Sequence, residues 1–101
     1  MPLSETRHMQ TAGELVADLG QRLRDYRLLR NLKQETVANK AQVSVRALRN
    51  LETGAGSTVD TLVRVLKALG LRENLEHLVP HHIVSPMALL TNRRARARGR
   101  R

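Results

Sequence analysis

Cysteine is absent from this chain, which excludes disulfides and thiolate metal sites and leaves the fold to packing alone. Aromatic side chains are almost absent as well: Tyr26 stands alone, with no Phe and no Trp. The core must therefore be aliphatic, built from Leu, Val and Ala. The same scarcity removes the platforms on which unpaired bases stack, and so argues against recognition of single strands or RNA. No apolar run reaches the roughly 18 residues that a membrane-spanning helix needs, so no membrane association is expected. The N-terminus lacks the apolar stretch of a secretory signal. A reducing cytoplasm is compatible with the missing cysteine and is the expected compartment.

Acidic residues are in short supply. Eighteen Lys and Arg face nine Asp and Glu, a formal charge of +9 over 101 residues. That balance favours a polyanionic partner, and duplex DNA carries the densest regular charge. Charge alone does not separate DNA from RNA or anionic lipid. The length fits one domain with tails. A core of roughly 60 residues buries only about 60% of its unfolded surface and is marginal by itself. Dimerisation would add burial and would also suit the reading of paired half-sites.

The chain divides into a disordered lead over residues 1–10, a helical domain over 11–79, and an extended tail over 80–101. Thr11-Ala12-Gly13-Glu14 has the capping-box pattern, and a first helix runs from there to about Arg30. Leu15, Leu19, Leu23 and Tyr26 recur at spacings of four and three, which predicts one buried face. Gly20 weakens that helix by roughly 1 kcal/mol relative to Ala and offers a place for close packing. Asn31 is a left-handed stop before Leu32 re-enters the core. A second helix spans about Gln34 to Lys40 with Val37, Ala38 and Ala41 inward, and Ala41-Gln42-Val43 is a turn. Ser44 caps a third helix to about Thr53, ended by Gly54-Ala55-Gly56. Ser57 is expected to cap a fourth helix, Thr58 to Leu69, with Leu62, Leu66 and Leu69 on one stripe and Gly70 as its stop. A fifth runs from about Arg72 to Val79, where Pro80 ends it. No strand period appears, so the expected fold is all-α with five helices. Beyond Pro80, Met87-Ala88-Leu89-Leu90 is an apolar island, and residues 93–101 hold six arginines among nine residues, a like-charge block that should stay solvated.

The third helix carries chemistry. At about 100° per residue, Val45, Arg46, Arg49 and Asn50 fall within an arc of roughly 140°, and Leu48 and Leu51 lie about opposite its midpoint. The leucines therefore anchor the helix while the other four face out. Arginine can donate twice to guanine O6 and N7, asparagine can pair with adenine N6 and N7, and valine can touch a thymine methyl. Val45, Arg46, Arg49 and Asn50 are the candidate base contacts. Phosphate positioning needs donors at the periphery: Gln34 at a helix start, where amides attract anions, with Lys33, Ser44, Thr53 and Ser57. Two plainer readings stand beside this one: Arg46 as a solvated surface charge and Val45 as a peripheral core residue.

Leu32-Lys33-Gln34, Val37-Ala38, Val43-Ser44, Leu48, Leu51-Glu52-Thr53-Gly54 and Leu66-Lys67-Ala68-Leu69-Gly70 together resemble the Xre helix-turn-helix family, which includes lambdoid phage repressors. The resemblance covers about residues 19–78. It implies a five-helix lambda-repressor-like domain and a pairing of Arg27 in the first helix with Glu52 at the end of the third. It also exposes a departure: the family's turn usually holds glycine where this chain has Gln42, and a non-glycine residue in a left-handed turn costs about 1 kcal/mol or more. The small size and the tail with its basic end are similar to HipB-type antitoxins, which bind operator DNA as homodimers and hold a HipA-like kinase toxin.

The residues thus lead to a non-enzymatic, homodimeric repressor of a palindromic double-stranded operator, with Leu71, Leu75 and Leu78 as the dimer contact. Its role would be the antitoxin of a HipA/HipB-like module; the alternatives are a stand-alone phage-type repressor or a restriction-modification controller. No catalytic arrangement is present. His77, His81 and His82 are too sparsely supported by carboxylates to suggest a metal, and no cofactor is expected.

Overall fold

The computed structural model describes residues 10–81, and the features noted in the sequence at 1–9 and 82–101 lie outside them. The described residues are all-helical, with five helices: α1 (Ala12–Leu29), α2 (Gln34–Ala41), α3 (Val45–Thr53), α4 (Val59–Ala68) and α5 (Arg72–Glu76). Helix α1 packs across α3, α2 packs on α3 and α4, and α5 closes against α4. The core between them is aliphatic, as the missing aromatics require: Leu23, Val37, Ala38, Ala41, Leu48, Leu51, Val65, Leu66, Ala68 and Leu69 are buried.

Helix starts follow side-chain oxygens. Thr11 Oγ1 accepts from Glu14 N at 3.1 Å while Glu14 Oε1 accepts from Thr11 N at 2.9 Å, the reciprocal box that the pattern predicts. The Thr11 backbone N–H, and then its hydroxyl, hold the exposed Glu14 carboxyl below the usual carboxylate range. Ser44 Oγ accepts from Ala47 N at 2.9 Å and caps α3. The cap of α4 corrects the expectation for Ser57. Thr58 supplies it, accepting from Thr61 N at 3.0 Å, whereas the Ser57 hydroxyl donates to the Thr58 carbonyl. Serine and threonine are both good cap formers, and the helix begins one residue later than the pattern suggested.

The first four helices end by one device. A residue in the left-handed region turns the chain, and the next N–H reaches back five residues to a carbonyl: Leu32 to Arg27, Val43 to Ala38, Ala55 to Asn50 and Leu71 to Leu66, at 2.8–3.1 Å. This is the Schellman geometry, and it satisfies carbonyls that a helix end leaves open. The turning residues are Asn31, Gln42, Gly54 and Gly70. Gln42 therefore adopts the strained conformation that glycine would take freely. Its cost of about 1 kcal/mol is offset by that backbone bond and by the return of Val43 to the core edge.

Two expectations for burial are corrected. Leu15 is 48% exposed, because α3 crosses α1 further along, between Ala17 and Gly20, and leaves the first turn of α1 uncovered. Helix α5 stops at Glu76 rather than Val79. Leu71 and Leu75 pack on the core, but Leu78 and Val79 are 63% and 69% exposed. With no surface to bury them, a further turn gains nothing, and the chain loosens into the three-residue bonds of His77 and Leu78.

Gly20 sits where α1 meets the end of α3. A Cβ there would collide with the Leu51 carbonyl oxygen and lie 3.0 Å from that of Glu52. Helix propensity alone makes Gly20→Ala stabilising by about 1 kcal/mol; the collision with backbone reverses the sign. We expect a net loss of about 1–3 kcal/mol, as for an overpacked core, read from urea unfolding.

Candidate nucleic-acid interface

Helix α3 is held from behind. Leu48 is fully buried at 0% exposure and Leu51 is nearly so, which contributes about 1.5–3 kcal/mol for each side chain. Arg46 and Arg49 are exposed on the other side, and Asn50 is half-buried. Neither arginine has a hydrogen bond or ion pair from its side chain to another of the described residues. Val45 is half-buried and divides its surface: part packs on the core edge, and part lines an open depression with Arg49. Val45 is thus partly a core-edge residue, and the rest of its surface is open to the depression.

The crossing angle of α3 is fixed by a charged pair. Arg27 Nε donates to Glu52 Oε2 at 2.7 Å, and Nη2 donates to Oε1 at 3.0 Å. Arg27 Nη1 donates to the Leu32 carbonyl at 2.8 Å, so one guanidinium ties α1 to both α3 and the α1–α2 turn. Glu52 Oε1 also accepts from Gln34 Nε2 at 3.0 Å. Both charged side chains are buried, at 7% and 1% exposure. A buried pair recovers its desolvation only with good geometry and full hydrogen bonding, and both conditions are met here.

The remaining sequence candidates fall into three groups. Lys33 is exposed and precedes the first turn of α2 without capping it by its side chain, so those backbone N–H groups have no side-chain acceptor. Ser44 keeps its proton, since it acts only as an acceptor toward Ala47. Gln34 has one amide proton engaged by Glu52. Thr53 and Ser57 direct their protons to backbone carbonyls, Arg49 at 2.9 Å and Thr58 at 2.9 Å. Those two present acceptor lone pairs outward more readily than donors. Leu71 and Leu75 are half-buried against the core and Leu78 is exposed.

Sequence reasoning missed Arg24. It lines the depression of Lys33, Val45 and Arg49 from α1. Its position three residues before Arg27 was the available signal, because i and i+3 share a helix face.

Two short helices in tandem, joined by a left-handed turn, with an exposed cationic second helix anchored by leucines, define a helix-turn-helix DNA-binding protein. Residues 23–74 match the helix-turn-helix family. The chain belongs to that family, in its Xre or lambda-repressor-like form, and is a sequence-specific DNA-binding transcription regulator. The family is a regulatory one, not a family of enzymes. No curated protein matches the chain. Among the described residues, no helix is long and apolar enough to cross a membrane.

Removing one member of the Arg27–Glu52 pair strands the other in the core. Arg27→Met or Glu52→Leu should each cost about 3–5 kcal/mol in denaturant unfolding. The double variant should recover most of that loss, because the pair contributes geometry more than net stability; a fully additive loss would contradict this account.

Proposed function

We propose that the protein is a cytoplasmic, homodimeric repressor that sets α3 of each subunit into successive major grooves of a palindromic operator. One observation carries the reading: Arg46 and Arg49 are exposed and unpaired among the described residues, while Leu48 and Leu51 directly behind them are buried. Val45, Arg46, Arg49 and Asn50 touch base edges. Lys33, Gln34 and Ser44 flank them as phosphate contacts; Thr53 and Ser57 join them only by turning their hydroxyl protons away from the Arg49 and Thr58 carbonyls. Donors lead at Lys33, Ser44 and the α2 amides. Arg27 and Glu52 fix the helix that does the reading.

The dimer contact is assigned to α5 and the residues just after it. Leu71 and Leu75 give only their outer surfaces, since they already pack inward. Leu78 is 63% exposed and Leu29, at the end of α1, is 79% exposed. Arg30 Nη1 donates to the Leu69 carbonyl at 2.5 Å and so ties the end of α1 to the end of α4, just ahead of α5. A two-fold contact there would place half-site centres about 34–36 Å apart. Occupancy of the operator blocks the promoter.

The antitoxin role rests on the tail features that resemble HipB-type proteins, which lie outside the described residues. It entails stoichiometric binding to a HipA-like kinase without DNA, and co-purification with such a partner discriminates it from a stand-alone regulator.

Selection of bound duplexes from a random pool tests the main reading, with a palindrome expected. On the selected site, Arg46→Ala should relax preference at one base position and cost about 1–3 kcal/mol. Equal losses on selected and random duplexes would assign Arg46 to phosphate instead.

A further inference from the structure

Most cations on α1 and at its C-cap are answered within the chain. Arg22 pairs with Asp18 at 3.1 Å. Arg27 is buried with Glu52. Arg30 bonds the Leu69 carbonyl and lies over the Tyr26 ring, 5.7 Å from its centroid. Arg24 has no side-chain hydrogen bond or ion pair among the described residues and is exposed. The buried pair turns the face that Arg24 shares with Arg27 toward α3. Arg24 thereby lines, with Lys33 and Arg49, one open depression of about 450 Å³ whose walls also include Val45 and Gln34.

Three unpaired cations from three elements line it beside the paired Arg27, against a single acid, Glu35. Charges of one sign so arranged repel, and an anion seated between them turns that repulsion into attraction. The depression adjoins Val45 and Arg49 on the reading helix. The anion that duplex DNA presents beside its base edges is the backbone phosphate. The geometry points to Arg24 as a phosphate-contacting residue of the DNA interface, holding one backbone phosphate together with Lys33, beside the base-reading Arg49. Arg24 fixes the register of α3 in the groove and reads no base. Glu35 opposes the same phosphate and limits how tightly non-cognate duplexes are held. This assignment rests on α3 lying in the major groove.

The test is a salt series of dissociation constants for the full chain on the selected duplex and on random duplex. Arg24→Ala should weaken both by about tenfold, as for a lost hydrogen bond to a charged group. It should also reduce the slope of log affinity against log salt by about 0.9. Arg24→Lys should restore most of the slope, and Glu35→Gln should tighten both complexes. Lys67→Ala is the charge-matched control: it removes one exposed cation from a different depression, between α2 and α4, and should leave the slope unchanged. Arg24→Ala should melt like the unmodified chain, since the side chain holds no intramolecular bond. If Arg24→Ala and Lys67→Ala behave alike while the unmodified chain still prefers the selected duplex, the phosphate role falls alone. A loss confined to one base position also overturns it. If the unmodified chain prefers no duplex at all, the major-groove reading falls with it.

Discussion

The buried pair between Arg27 and Glu52 is the constraint on which the interface depends. Its two parallel hydrogen bonds, 2.7 and 3.0 Å long, fix both the distance and the rotation of α1 relative to the end of α3. An apolar contact at the same place would hold the helices together but would let one roll on the other, because hydrophobic attraction has no direction. A planar guanidinium meeting a planar carboxylate leaves no such freedom. The same guanidinium holds the Leu32 carbonyl, and the same carboxylate holds Gln34. One pair thus sets α3, the start of α2 and the turn before it. These are the parts that a groove-reading surface must keep in register.

Backbone contact completes what the pair begins. Gly20 brings α1 against the Leu51 and Glu52 carbonyls, and Gly54 lies with its Cβ direction 2.8 Å from Ala17 Cα. Gly54 also needs its positive φ of 78° to end α3. Two glycines, one on each helix, let the backbones approach where any side chain would wedge them apart. Close approach shortens the lever between the buried charges. It allows a side chain as long as arginine to reach Glu52 with bonds left over for Leu32. In so small a core, without aromatics, this contact supplies precision that bulky side chains would otherwise provide.

Much of the fold was legible because it arises from local periodicity. Val37, Ala38 and Ala41, and likewise Leu48 and Leu51, lie on single helical faces and are buried. Ser44 and Thr11 cap as their spacing predicts. The misreadings have a common cause: they depend on what lies opposite. Leu15 shares the stripe of Leu19 and Leu23, but nothing crosses α1 at its first turn. Val79 continues the apolar pattern of α5, yet no core remains to receive it. Ser57 and Thr58 are chemically alike, and tertiary placement chose between them. Arg24 was legible only as a neighbour of Arg27 on one helix face, and its surroundings were not, for the same reason. Its meeting with Lys33 and Arg49 joins residues far apart in sequence, and no local pattern encodes that meeting. The candidate base contacts were legible as a face, while the division of Val45 between core and surface was not.

The distribution of charge explains why so basic a chain need not bind every polyanion equally. Cations away from the reading face are often engaged: Arg22 by Asp18, Arg64 by Asp60, Arg30 by a carbonyl and a ring. Those on it, Arg24, Lys33, Arg46 and Arg49, carry no intramolecular side-chain partner among the described residues. An exposed ion pair contributes little stability, about 0–1 kcal/mol, so stability is a weak account of why some arginines are paired. Pairing does lower the field around them, and leaves the unpaired group to dominate attraction at short range. A uniform shell of positive charge would hold duplex DNA in any orientation. A shell partly neutralised away from α3, with Lys40, Lys67 and Arg72 still unpaired among the described residues, would bias the same attraction toward poses that present that helix to the groove. Base discrimination would then begin from that pose, because phosphate contacts set position and base contacts set sequence.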